Sequence, residues 1–110
     1  RATTRPPIRE GCESTAAEVV NAMPDVKRAI DEVQAQADKS NGRANFGGIG
    51  PNDDGEGGFS ASYGLQSAER YEMLIVYRVD AKGHLSVSLP NGELSIPRKA
   101  LAQVEQACRR

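Results

Sequence analysis

The chain has little of what several common functions require. Its 110 residues carry 14 basic and 15 acidic side chains, a net charge of −1, so the basic excess typical of nucleic-acid-binding domains is missing. Its longest apolar run, from Met73 to Tyr77, is far shorter than the roughly 18 to 20 residues that cross a bilayer. It has one histidine, His84, and two cysteines, Cys12 and Cys108. This set is too small for a zinc site or a Cys/His nucleophile pair.

The two cysteines indicate the compartment. An even number in a small domain fits one disulfide, and disulfides persist in oxidising compartments. Joining Cys12 to Cys108 closes a loop of nearly the whole chain, which destabilises the unfolded state by about 4 to 5 kcal/mol. We therefore predict this disulfide and a periplasmic or otherwise exported protein, with two unrelated buried thiols as the alternative. Because the chain starts at Arg1, we expect that an upstream segment such as a signal peptide was removed.

Helical periodicity marks the N-terminal third of the single predicted domain. Residues 1–11 show no periodicity and are expected to form an extended lead-in. A capping-box spacing predicts a helix that begins at Thr15. Pro24 interrupts that helix, because proline lacks an N–H and clashes with the preceding turn. A second helical pattern begins at Asp25 and ends at an Asn-Gly pair that includes Gly42.

Further along the chain the hydrophobic period changes to two, which indicates β-strands. The predicted strands cover residues 59–65, 70–79, 84–89 and 93–96. Asn91-Gly92 predicts a type I′ hairpin turn between the last two strands. Pro97 lies in the first turn of a final helix, whose inward stripe includes Cys108. We therefore predict an α+β fold: an antiparallel meander of about four strands, with N- and C-terminal helices packed on one face and one disulfide.

Eight of the eleven glycines lie between Asn41 and Gly64. We predict a glycine-rich loop over residues 42–58. Loops of this length in compact domains are usually functional or disordered. The stretch is therefore the first place to look for chemistry.

The glycine stretch matches no catalytic template. A Walker loop is excluded because no lysine lies between Lys39 and Lys82. A dinucleotide-binding fingerprint fails at Asp53, where glycine is required, and a nucleophile elbow fails at Ser62 for the same reason. His84 lies at a turn edge, where a solvated histidine is the ordinary case. We therefore predict that the protein is not an enzyme and needs no cofactor or metal.

A calcium loop is the nearest partial match. Asn52, Asp54, Glu56 and Gly57 occupy positions one, three, five and six of an EF-hand loop. Position twelve, however, is Tyr63 instead of a bidentate glutamate, and a strand is predicted where the second helix should begin. A calcium-triggered module thus stays as an alternative that a calcium titration would decide.

The predicted layout resembles the periplasmic immunity proteins that bacteria make against type VI secretion amidase effectors. The features in common are an exported domain of this size, paired helix cysteines at Cys12 and Cys108, and the lack of a catalytic set. The resemblance implies a tight protein partner, a cysteine peptidase-like amidase that cuts peptidoglycan peptides. It implies that the protein blocks the amidase's active cleft, and it allows a homodimer. No nucleic-acid or membrane partner is expected.

Candidate partner-binding residues follow from expected exposure in the glycine stretch and at the tips of the meander. They are Asn45, Phe46, Asp53, Asp54, Asp80, His84 and Asn91. Acidic residues there would complement a basic cleft rim and speed association.

A pilin-like or envelope-assembly subunit is the alternative function. Such a subunit would have a hydrophobic helix before Arg1, and residues 14–42 would form its exposed half. Pro24 and the wide separation of the cysteines fit that architecture poorly. The natural N-terminus distinguishes the two, because a short signal favours the inhibitor and a long apolar helix favours the pilus subunit.

Overall fold

The computed structural model describes residues 8–109. It has an α+β fold whose elements are α1 (Cys12–Ala22), α2 (Pro24–Lys39), β1 (Ala44–Asp53), β2 (Phe59–Ser67), β3 (Tyr71–Val79), β4 (Leu85–Leu89), β5 (Gly92–Glu93) and α3 (Arg98–Cys108). The strands form one antiparallel sheet in the order β1-β2-β3-β4-β5. The predicted fold class, an antiparallel meander with N- and C-terminal helices, is confirmed. Residues 1–7 of the predicted lead-in lie outside the described residues.

The helices pack on one face of the sheet. Phe59, Tyr77 and Val87 come from three different strands and form one buried cluster with residues of α1, α2 and α3. A second cluster joins α2 to the middle of the sheet; its buried members are Ala29, Val33 and Ile75. In both clusters the strand residues alternate, so every second side chain of the sheet faces the helices. The opposite side of the sheet is called the uncovered face below.

The predicted disulfide is present. Cys12, the first residue of α1, is bonded to Cys108, the last residue of α3, and both are buried. The side chain of Arg9 adds a second link between the chain ends, since Nη1 donates to the carbonyl oxygens of Gln106 at 3.2 Å and Arg109 at 3.0 Å. A covalent bond and two hydrogen bonds thus join α1 to α3.

The glycine-rich loop predicted over residues 42–58 is wrong for most of its length. Ala44–Asp53 is a ten-residue strand paired with β2, and only residues 54–58 form a turn. The backbone makes these strand pairs, whereas the prediction relied on side-chain alternation. Glycines at positions 47, 48 and 50 have no side chains to alternate, so the strand leaves no periodic signal.

Two smaller predictions also need correction. α1 begins at Cys12, not Thr15, because Cys12 and Ala16 both pack into the core and extend the helix by a turn. The β4–β5 turn is not type I′ at Asn91-Gly92: Leu89 pairs with Gly92, and Asn91 does not have a positive φ. The residue before Asn91 is proline, which sets φ near −65° and moves the turn back by one position.

Candidate functional site

Two turns meet at one end of the sheet. Because neighbouring strands are antiparallel, the β1–β2 turn at residues 54–58 lies beside the β3–β4 turn at residues 80–84. Gly58 is buried between them, next to the carboxylate of Asp54 and the backbone of Asp80. We call these two turns, with Asp53, the acidic end.

Aspartate side chains fix the backbone of the first turn. The Oδ1 atom of Asp53 accepts the N–H of Gly55 at 2.6 Å. The Oδ1 atom of Asp54 accepts the N–H groups of Glu56 at 2.7 Å and Gly58 at 3.0 Å. Aspartate is favoured in turns because its short side chain can reach backbone amides two residues ahead. The first turn therefore has a defined conformation.

The second turn is held in the same way by Asp80. Its Oδ1 atom accepts the N–H groups of Lys82 at 2.9 Å and His84 at 3.0 Å. Gly83, with φ of 85°, is buried against α3, where a Cβ would lie 3.1 Å from the Cα of Glu105. The positive φ and the close helix both favour glycine here.

Hydrogen bonds keep both turn aspartates ionised. The pKa of Asp54 is lowered from its ordinary value, first by the N–H of Glu56 and then by the N–H of Gly58. For Asp80, partial burial raises the pKa, but the N–H groups of His84 and Lys82 and the nearby cations outweigh it, so the pKa is lowered overall. A carboxylate that accepts several backbone N–H groups favours its charged form.

His84 lies between two carboxylates. Its Nδ1 atom is 3.5 Å from Oδ2 of Asp80, and its Nε2 atom is 3.4 Å from Oε2 of Glu105 in α3. The imidazole is 60% exposed, so these contacts are screened by water. When protonated, the ring adds a weak link between the second turn and α3.

Four of the seven predicted partner-binding residues lie at the acidic end. They are Asp53, Asp54, Asp80 and His84. Asn45 and Phe46 lie in β1, toward the opposite end of the sheet. Phe46 was expected in an exposed loop, but its ring is half-buried and stacked on Tyr63, with ring centres 5.8 Å apart.

Asn91 lies at a third position, between the sheet and α2. With its neighbours in the β4–β5 turn it lines an open groove of about 360 Å³. The facing wall of α2 provides Asp25, Arg28 and Glu32, and Arg28 is paired with Asp25 at 3.0 Å. The predicted set is therefore divided among three positions.

Three charged residues near the acidic end were not predicted. Glu56 and Lys82 line the same cavity as Asp54 and Asp80, and Glu105 contacts His84 from α3. Glu56 and Lys82 have a local signal, because each follows a turn aspartate by two residues. Glu105 has none, since its contact depends on how α3 packs on the sheet.

The acidic end was compared with the calcium-loop alternative. The Oδ1 atoms of Asp53 and Asp54 are directed at backbone amides, and the turn joins two strands instead of two helices. Within residues 8–109, no three side chains of histidine, cysteine, aspartate or glutamate are placed to hold one metal ion. No helix among the described residues is long and apolar enough to cross a membrane.

Comparison with protein-family models, with curated proteins and with solved structures found no match to this chain.

Proposed function

We propose that the protein is a periplasmic immunity protein: a non-enzymatic inhibitor that occludes the active cleft of a peptidoglycan-degrading type VI amidase effector. One observation carries the proposal. Two aspartate-held turns lie side by side at one end of a scaffold that a disulfide closes. The disulfide is compatible with an oxidising, exported compartment, which is where a cell-wall amidase acts.

Preorganised turns suit an inhibitor. Ordering a loop on binding costs free energy, so a surface already fixed before binding retains more affinity. The hydrogen bonds of Asp54 and Asp80 to their own turn backbones provide this order without a partner. In the proposal, the two turns enter the amidase cleft as one unit and exclude water from it.

The charge of the acidic end determines the kind of cleft it fits. Asp53, Asp54, Glu56 and Asp80 are all exposed, and Lys82 is the one basic side chain within either turn. Charges of one sign steer a partner of opposite charge and raise the association rate more than the affinity. The proposed partner surface is therefore a basic rim around the amidase cleft.

The pilin-like alternative loses part of its basis. It relied on one helix from residue 14 to residue 42, but Met23 has an extended backbone (φ −71°, ψ 128°) that separates α1 from α2. Pro24 begins the second helix, as expected for a residue without an N–H to donate. We therefore place the inhibitor first.

The proposal is tested by inhibition. Type VI amidase effectors of the source organism are assayed for cleavage of peptidoglycan peptides while the oxidised full-length chain is titrated in. We expect one amidase to lose activity in proportion to the added chain and to recover none on dilution. Unchanged cleavage by every effector would refute the proposal.

A protection assay adds the compartment. Host cells that export the amidase should lyse, and co-export of this chain should prevent lysis. The same chain kept in the reducing cytosol is the matched control and should not protect. Equal protection from both compartments would contradict periplasmic action.

A further inference from the structure

β1 is a free edge of the sheet. It is the first strand in the sheet order, with β2 on one side only. Within residues 8–109 its extensive contacts are with β2 and α2, and no β1 residue is buried. An edge strand exposes a row of backbone N–H and C=O groups that can pair with another strand.

The edge lacks the usual protection against pairing. Proteins commonly place lysine or other charged side chains along an edge strand to block it. Residues 44–52 carry no charge, whereas Arg43 precedes the strand and Asp53 ends it. Opposite charges at the two ends of one strand become complementary when two copies pair antiparallel.

We propose that β1 pairs with β1 of a second copy of this chain, antiparallel about a two-fold axis through Gly48. This register places Arg43 of each copy opposite Asp53 of the other. Pro51 has no N–H to donate, so the backbone hydrogen bonds come mainly from residues 44–50. The contact is isologous, as in most soluble homodimers. It is independent of the proposed amidase inhibition.

Side chains on the uncovered face support this register. Ile49 pairs with Ser62, whose neighbours Ala61 and Tyr63 pack toward the helices, so Ile49 is on the uncovered face. There it is 44% exposed, an unusual state for a large apolar side chain. In the proposed register Ile49 lies opposite Gly47 of the second copy.

Gly47 has room for that isoleucine. Where its Cβ would be, the nearest atoms are Cβ of Gln66 at 3.5 Å and Cε1 of Tyr71 at 3.7 Å. Ile49 of one copy can therefore cover the glycine of the other and contact the Tyr71 ring. Two such contacts, related by symmetry, bury the exposed isoleucine of each copy.

The test is sedimentation velocity of the oxidised full-length chain over a range of concentrations. We expect a reversible dimer for the wild type. Ile49→Lys should weaken it by roughly tenfold or more, because a lysine at this position meets the backbone of the second copy. Met73→Lys is the matched control: Met73 is 62% exposed on the same uncovered face, but β3 is an interior strand. Its dimer should be unchanged.

The outcomes separate an edge contact from a face contact. A wild-type chain that stays monomeric at every concentration overturns the proposal. So does a Met73→Lys variant that dissociates as much as Ile49→Lys, because the contact would then involve the face of the sheet. Thermal melting of each variant establishes that it is folded.

A charge reversal tests the register without changing Ile49. Arg43→Glu or Asp53→Arg alone should weaken the dimer, and the two together should restore it. Hydrogen exchange gives a readout on the unmodified chain: amides within residues 44–50 should become more protected as concentration rises. No rescue by the double variant, or protection that does not depend on concentration, would overturn the register.

Discussion

The two sides of the sheet are held very differently. On one side, α1, α3 and β4 form a closed half: the disulfide joins the two helices, and Val20, Val87 and Val104 are fully buried between them. On the other side, β1 has no buried residue and a free outer edge. The comparison indicates that stability is concentrated in the closed half, whereas β1 is available for contacts with other molecules.

The largest expected effect concerns the closed half. Replacing both cysteines, Cys12→Ser with Cys108→Ser, should lower the free energy of unfolding by about 4 to 5 kcal/mol, because the unfolded chain regains the entropy of a long open loop. Urea denaturation of the oxidised wild type and the double variant measures the difference. A loss below about 1 kcal/mol would show that the disulfide does not dominate stability.

Two isoleucines compare the halves directly. Ile75 is fully buried beneath α2, whereas Ile49 in β1 is 44% exposed. Ile75→Ala should cost about 2 to 5 kcal/mol, because it leaves a cavity in the core. In monomeric protein Ile49→Ala should stay within about 0.5 kcal/mol of wild type. Equal losses by urea denaturation would contradict the comparison.

Two glycines sharpen the same contrast. At Gly58 a Cβ would overlap the carbonyl oxygen of Val79, so Gly58→Ala should cost about 1 to 3 kcal/mol and separate the two turns. At Gly47 in β1 the nearest neighbour of a Cβ is 3.5 Å away, so Gly47→Ala should be tolerated. Thermal melting compares the two variants, and a Gly47→Ala loss as large as that of Gly58→Ala would contradict this explanation.

The smallest expected effect is the pH dependence of the first turn. The pKa of Asp54 is lower in the folded chain than its ordinary value, so its charged form is favoured by folding. Its stabilisation is therefore complete above the unfolded-state pKa of about 4 and is lost as pH falls through the folded-state pKa. An NMR titration should show the amides of Glu56 and Gly58 shifting at a pH below that ordinary value.

Asp54 also allows the acceptor to be separated from the charge. Asp54→Asn retains an oxygen for the N–H groups of Glu56 and Gly58 and should preserve the turn, whereas Asp54→Ala removes it and should broaden those resonances. Amide shifts that move only above the ordinary pKa would contradict the assigned hydrogen bonds.

Much of the fold follows from local patterns. Helical spacing indicates α2 from Val26 to Ala37, Pro24 separates it from α1, and alternation indicates β2 through β4. The disulfide follows from the count of cysteines and their place near the chain ends. Each of these signals is carried by side chains that repeat with a known period.

The unpredicted parts depend on backbone or on distant contacts. β1 contains Gly47, Gly48 and Gly50, so the strand is formed by hydrogen bonds that leave no hydrophobic pattern. The meeting of Asp54 with Asp80 depends on the pairing of β2 with β3. A single sequence shows that both are turn residues, but their proximity follows only from the sheet register.

The most direct test of the account is the rate at which the inhibited amidase associates with charge variants of the chain. Asp54→Asn with Asp80→Asn removes two charges from the acidic end and retains the turn acceptors. Asp31→Asn with Glu32→Gln removes two exposed charges from α2 as the matched control. We predict that the first pair slows association by roughly tenfold at low salt and the second does not. Equal rates for both pairs would contradict recognition through the acidic end.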